Sequence, residues 1–136
     1  MDFDGTCVTH EFPQIGKDIG AVPVLKELVA NGHKLILYTM RSDSKTAVSN
    51  DPDILGVSGK HLTEAIRWFE QNNIPLYGAQ QNPTQKHWTS SPKCYAVMYI
   101  DDAALGCPLK IDEAISNRPF VDWEAVRKML EYKGLI

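Results

Sequence analysis

Two compact apolar runs constrain the fold of this chain more than any other feature. Lys34-Leu35-Ile36-Leu37-Tyr38-Thr39 and Tyr95-Ala96-Val97-Met98-Tyr99-Ile100 are short, mostly apolar and bounded by polar residues. Such runs suit strands covered on both faces. The segments around them carry apolar residues at helical spacing. Pro23 fits the first turn of a helix reaching about Ala30, with Val24, Leu25, Leu28 and Val29 as its stripe and Asn31-Gly32 as its stop. Leu62, Ala65, Ile66 and Phe69 give an inward face to a second helix, over about 59–72, which Ser58 is placed to cap. Asp122 caps a third, in which Trp123, Val126, Met129 and Leu130 face inward. A weak strand is expected at 74–78 and an edge strand at 118–121. Loops are expected at 7–20, 40–58 and 80–92, and 103–117 reads as irregular with room for a short helix. Strands alternating with helices imply parallel pairing through right-handed crossovers, hence an α/β domain built on a central parallel sheet.

In such sheets the ligand site lies beyond the carboxyl ends of the strands. The first strand is expected at the very start of the chain, where it runs into Asp2-Phe3-Asp4-Gly5-Thr6. Alternate side chains of a strand share a face, so Asp2 and Asp4 point the same way. Gly5 permits a sharp turn and Thr6 offers it a hydroxyl. Thr39 ends the second strand, and Asp101 and Asp102 end a later one. Four carboxylates and a hydroxyl thus converge on one sheet edge. Carboxylates this close repel one another, which a bound divalent cation relieves; an oxygen-only ligand set suits Mg²⁺. Asp-rich turns beside glycine also occur as plain surface turns, and the hexapeptide alone does not separate the two readings. A buried first strand should also bring several apolar residues up to Asp2. Only Met1 precedes it, so the expectation is an apolar segment upstream in the natural chain, or else a strand this short.

Asp2-Phe3-Asp4-Gly5-Thr6, a strand ending in Thr39, Lys93, and a strand ending in Tyr99-Ile100-Asp101-Asp102 occur in the order of four motifs. Together they resemble the haloacid dehalogenase (HAD) superfamily over most of the chain. The resemblance implies a three-layer α/β/α, Rossmann-like sandwich around the parallel sheet, and a Mg²⁺-dependent phosphohydrolase. It implies that Asp2 is the nucleophile and Asp4 the general acid and base. Thr39 would bind the phosphoryl group, and Lys93 would offset charge beside it, with Lys86 as the competing lysine. Asp2, the Asp4 carbonyl and Asp101 would hold the metal, with Asp102 next to them or as an alternate ligand. The spacing between the motifs leaves no room for a separate cap domain, which points to the small, capless branch. Arg41 and Ser42, just past Thr39, are placed to touch substrate; Lys86, His87 and Trp88 could reach it too. A guanidinium pairs well with phosphate, so Arg41 is the foremost of these.

The rest of the sequence sets bounds. The 136 residues make one domain, 1–136, long enough for a core without staples. A net charge of −3 argues against a nucleic-acid partner held by broad electrostatics, though a nucleic-acid end remains open as substrate. Cys7, Cys94 and Cys107 show no paired spacing, which suits free thiols and a reducing cytoplasm. No run is long and apolar enough to span a membrane. His10, His33, His61 and His87 read as surface or core residues rather than metal ligands. The expected partner is a phosphorylated small molecule, with a phosphoprotein as the other possibility and a homo-oligomer possible. Two other functions compete. One is a catalytically silent binding module on the same fold. The other is a receiver-like phosphoacceptor, which needs a carboxylate where this chain has Thr39.

Overall fold

The structure is a computed structural model that describes residues 1–44 and 59–136. The remaining stretch, 45–58, holds most of the loop expected at 40–58, and Ser58 with it; both lie outside the described residues. In chain order the elements are α1 (Ala21–Ala30), β1 (Ile36–Leu37), β2 (Asp43–Ser44), β3 (Gly59–Lys60), α2 (His61–Gln71), β4 (Gly78–Ala79), a 3-10 turn (Gln85–His87), β5 (Leu109–Lys110), β6 (Phe120–Val121) and α3 (Trp123–Tyr132).

β1 and β4 pair in parallel, Ile36 opposite Gly78 and Leu37 opposite Ala79. The first two residues lie against the other side of β1. The Met1 amino group donates to the Ile36 carbonyl at 2.7 Å, and the Tyr38 N–H donates to the Met1 carbonyl at 2.8 Å. One residue bonded to two that flank its opposite number is the parallel ladder pattern. The Asp2 N–H then donates to the Ile100 carbonyl at 3.0 Å. Read across these bonds, the order is 78–79, 36–38, 1–2 and 100. The chain leaves this sheet at Asp2, Thr39 and Asp101, so three polar loops open on one edge.

The run 95–100 is not a strand. Tyr95, Val97 and Tyr99 are exposed, and only Met98 and Ile100 pack on the core. Only its end at Ile100 bonds to the backbone of the first strand; at Tyr95 the backbone is satisfied by side chains. The Tyr95 N–H donates to Gln85 Oε1 at 2.7 Å, and the Tyr95 carbonyl accepts from Asn82. Buried Gln85 also donates to the carbonyls of Ser91 and Lys93. Elsewhere β2 pairs antiparallel with β3, and β5 with β6. β5 falls in the segment expected to be irregular, and β6 is the expected strand near 121.

The helices follow their apolar stripes. Val24, Leu25 and Leu28 of α1 are buried, as are Ala65 and Phe69 of α2, with Leu62 and Ile66 half-buried beside them. The residue at the cap position of α2 is Lys60, not Ser58, and its side chain makes no capping bond. Asp122 caps α3 as expected: its Oδ1 accepts from the N–H groups of Glu124 and Ala125, each at 3.1 Å. Trp123, Val126 and Leu130 are buried, but Met129 is exposed. Arg127 of α3 donates to Glu27 of α1 at 2.9 Å, which ties the two helices side by side. Phe3, Leu25, Leu37, Phe69, Val121 and Trp123 are among the core residues that join these elements. The three cysteines are free thiols. No helix among the described residues is long and apolar enough to cross a membrane.

Removing the one side-chain cap seen on α1–α3 tests this packing. Asp122→Ala should cost about 1 kcal/mol, the usual worth of an N-cap carboxylate, read as a lower denaturation midpoint with an unchanged slope.

Candidate functional site

The loop after the first strand is wound tightly. The Phe3 carbonyl accepts from the N–H groups of Thr6 at 3.1 Å and Cys7 at 2.7 Å, and the Gly5 N–H donates to Val8 at 2.7 Å. Gly5 sits at φ +79°, where a side chain is strained. It also has no space for one: a Cβ there would lie 2.0 Å from His10 Nε2 and 2.7 Å from Asp102 Oδ2. The loop is pinned from behind, because Val121 donates to the Gly5 carbonyl at 2.9 Å and the Trp123 indole donates to that of Thr6 at 2.6 Å.

This winding presents Thr6 to two carboxylates. Thr6 Oγ1 accepts the Asp102 N–H at 3.0 Å and lies 3.1 Å from Asp102 Oδ1 and 3.4 Å from Asp2 Oδ2. His10 Nε2 lies 2.9 Å from Asp102 Oδ2. Asp101 turns back on its own loop, its Oδ1 accepting from Ala103 at 2.8 Å. Asp2, Asp101 and Asp102 each offer a carboxylate oxygen within 4.8 Å of the others. Burial, followed by the charge of Asp101 and the contact with Asp102, pushes the Asp2 carboxyl up to about 7. The Phe3 N–H opposes that rise. Three oxygen donors so disposed, one of them driven toward its neutral form, are a donor set that suits a hard divalent cation.

Asp4 turns away from this cluster. Its two carboxylate oxygens accept from Arg41 Nε at 2.7 Å and Nη2 at 2.8 Å. Arg41 is 2% exposed, and its other donors go to the carbonyls of Gln14 at 2.7 Å, Pro13 at 3.2 Å and His61 at 3.3 Å. A guanidinium has five N–H groups, and all five are taken. The expectation that Arg41 reaches out to substrate is therefore corrected: a charge this deep is kept only where it is fully paired, and the pairing leaves no donor for phosphate.

The other expected site residues divide. Thr39 is half-buried beside Arg41, whose N–H donates to Thr39 Oγ1 at 3.1 Å. Gln80 fixes this turn, accepting the Thr39 N–H at 2.9 Å and donating to the Thr39 carbonyl at 2.6 Å. Ser42 is exposed at the next position. Lys93 is exposed, its ammonium 6.0 Å from the Tyr99 ring, and among the described residues no carboxylate pairs with it. Lys86 is exposed on the 3-10 turn. Trp88 stacks edge-on against Tyr95 at 5.2 Å. Sequence reasoning missed His10 and Gln80. No spacing signal marks either, because each is brought in by a turn far from its partner in the chain.

The solved structure of a conserved protein from Bacteroides thetaiotaomicron is 31% identical to this chain, over 97% of it and 87% of that protein, with a TM-score of 0.69. The chain belongs to the family of that conserved protein. No family model and no curated protein matches it.

The raised Asp2 carboxyl has a signed consequence. In metal-free protein the folded state keeps a proton that the unfolded chain releases, so stability is greatest below about pH 4 as far as this group is concerned. It is lost as pH rises through about 7. Denaturation midpoints measured in chelator between pH 4 and 8 should fall with pH, and Asp2→Asn should flatten that fall.

Proposed function

We propose that the protein is a Mg²⁺-dependent phosphohydrolase of the HAD type, working through an aspartyl phosphate on Asp2. On this reading the sheet is the middle of a three-layer α/β/α sandwich without a cap domain. The side-by-side packing of α1 and α3 supports placing them on one face. The observation that carries the function is the convergence of Asp2, Asp101 and Asp102. A nucleophile that burial and its acidic neighbours push toward neutrality is poorly arranged to work alone and well arranged beside a cation.

Asp2, Asp101 and Asp102 would hold the metal through side-chain oxygens, and the Asp4 carbonyl remains the further candidate ligand. Bound there, Mg²⁺ would supply positive charge that keeps Asp2 ionised and offsets the charge of a phosphoryl group. Asp2 attacks phosphorus, and the bond to the leaving oxygen breaks. That divides one difficult displacement into two easier ones. Thr39 Oγ1, already accepting a main-chain N–H, still has its own hydrogen to give a phosphoryl oxygen. Water then attacks the aspartyl phosphate, its proton passing to the Asp4 carboxylate, and inorganic phosphate leaves. Thr6 and His10 hold Asp102, and so keep the cluster's geometry fixed between the two steps. Lys93 is the candidate for balancing phosphate charge from the far side. Substrates in this reading carry an accessible phosphoryl group, since the spacing between the motifs leaves no room for a separate cap domain.

A second reading has one observation in its favour. The pair between Asp4 and Arg41 occupies the residue that this chemistry uses for proton transfer, as a silent binding module on the same fold could tolerate. Turnover separates the two. With purified protein, an aryl phosphate should be hydrolysed in Mg²⁺ and not after chelation. Asp2→Asn should abolish the reaction, and Asp101→Asn should recover activity at higher Mg²⁺. Binding of phosphorylated compounds with no turnover under any metal would favour the silent module.

A further inference from the structure

Gln80 is held in a conformation that its local sequence does not call for. Its φ is +67°, a backbone region that glutamine seldom enters. Asn73 also has a positive φ, but it follows the end of α2, where asparagine is an ordinary choice. Gln80 follows β4, at the point where the ladder with β1 runs out. Its N–H donates to the Leu37 carbonyl at 2.7 Å, and the side chain carries the pairing on from there. Oε1 accepts the Thr39 N–H at 2.9 Å, and Nε2 donates to the Thr39 carbonyl at 2.6 Å. These are the main-chain groups that a longer neighbouring strand would otherwise satisfy. Nε2 also donates to the Arg41 carbonyl at 3.0 Å, so one amide grips both ends of the turn 39–41. Within that turn the Arg41 N–H donates to Thr39 Oγ1 at 3.1 Å, which fixes the hydroxyl oxygen and leaves its hydrogen to be given outward. The neighbouring Tyr38 N–H bonds the Met1 carbonyl, and this register sets Thr39 alongside Asp2.

We propose that Gln80 is a positioning residue for phosphoryl binding, which holds the Thr39 hydroxyl at the carboxyl edge of the sheet. The inference rests on the phosphohydrolase reading above, which supplies the phosphoryl group that Thr39 binds. Both amide hydrogens of Gln80 are spent on main chain, so it acts through Thr39 and not on substrate. The backbone strain is what aims the amide under the turn. Strain of this kind persists where the surrounding structure enforces it, and it gathers at functional sites.

The test is a double-mutant cycle on the full chain with Mg²⁺, over wild type, Gln80→Ala, Thr39→Val and the two together. Two quantities are read: kcat/KM for p-nitrophenyl phosphate, and the Kd of inorganic phosphate by calorimetry. Alanine keeps the Cβ, so the backbone strain stays and only the amide is lost. Gln80→Ala should lower kcat/KM by about 10–100-fold, the scale on which a misplaced group costs catalysis, and should weaken phosphate binding. In the Thr39→Val background the same change should cost less than about threefold on either readout, because no hydroxyl is left to position. Equal fold losses in the two backgrounds, or none in either, would overturn the inference and leave the phosphohydrolase reading standing. Phosphate binding with the coupling intact but no turnover by wild type would overturn that reading and keep the positioning role. Neither turnover nor phosphate binding overturns both. Should Gln80→Ala fail to fold, Gln80→Glu carries the same comparison with the same expected pattern, since it keeps the shape and the bond from the Thr39 N–H but loses both donors.

Discussion

The buried guanidinium of Arg41 is the interaction on which the rest of the site depends. A charge at 2% exposure survives only with its donors satisfied, and here a single side chain collects five acceptors from three parts of the chain. Asp4 comes from the first loop, Pro13 and Gln14 from the segment folded over it, and His61 from the start of α2. The rings of Phe3 and Phe12 each lie 5.1 Å from the guanidinium carbon and close it off from water. Removing either charge of the pair would leave the other buried and unmatched, at a cost of about 3–5 kcal/mol. The loop that carries Asp2 and Asp4 is therefore held in place by an ion pair as much as by its own turn.

That fixed loop explains why the acidic cluster can exist. Three carboxylates within reach of one another oppose folding, and burial, with the charge of Asp101 and the contact with Asp102, pushes the Asp2 carboxyl up to about 7. The chain tolerates this because the backbone leaves little choice. Gly5 turns where no side chain fits, Thr6 bridges toward Asp2 and Asp102, and Val121 and Trp123 brace the turn from the core. Rigid scaffold and repelling carboxylates together make a preorganised place for positive charge, which under the proposed function would lower the cost of stabilising a phosphoryl transition state.

Much of this was legible in the sequence. The helical stripes of α1, α2 and α3 and the Asp122 cap could be read directly, because period and capping chemistry are local. The meeting of Asp2 with Asp101 was expected from the rule that strand ends share an edge, and it holds although 95–100 is no strand, because the Ile100 carbonyl still accepts the Asp2 N–H. The run 95–100 misled because its composition suits a strand, whereas Gln85 and Asn82, set far away by a loop, take its backbone bonds at Tyr95. Arg41 misled for a related reason. An arginine beside a threonine expected to bind phosphate reads as a substrate contact, and nothing local reveals that carbonyls from residues 13, 14 and 61 will surround it. His10 gave no signal either, since its partner Asp102 lies at the other end of the chain.

The account turns on whether a covalent phosphate forms on Asp2, and that can be read chemically. Acid-quenching the protein during turnover of an acyl or aryl phosphate, reducing with borohydride and sequencing the N-terminal peptide should find Asp2 converted to homoserine, and Asp4 unchanged. Turnover that leaves Asp2 intact, or a conversion at any other carboxylate, would contradict it.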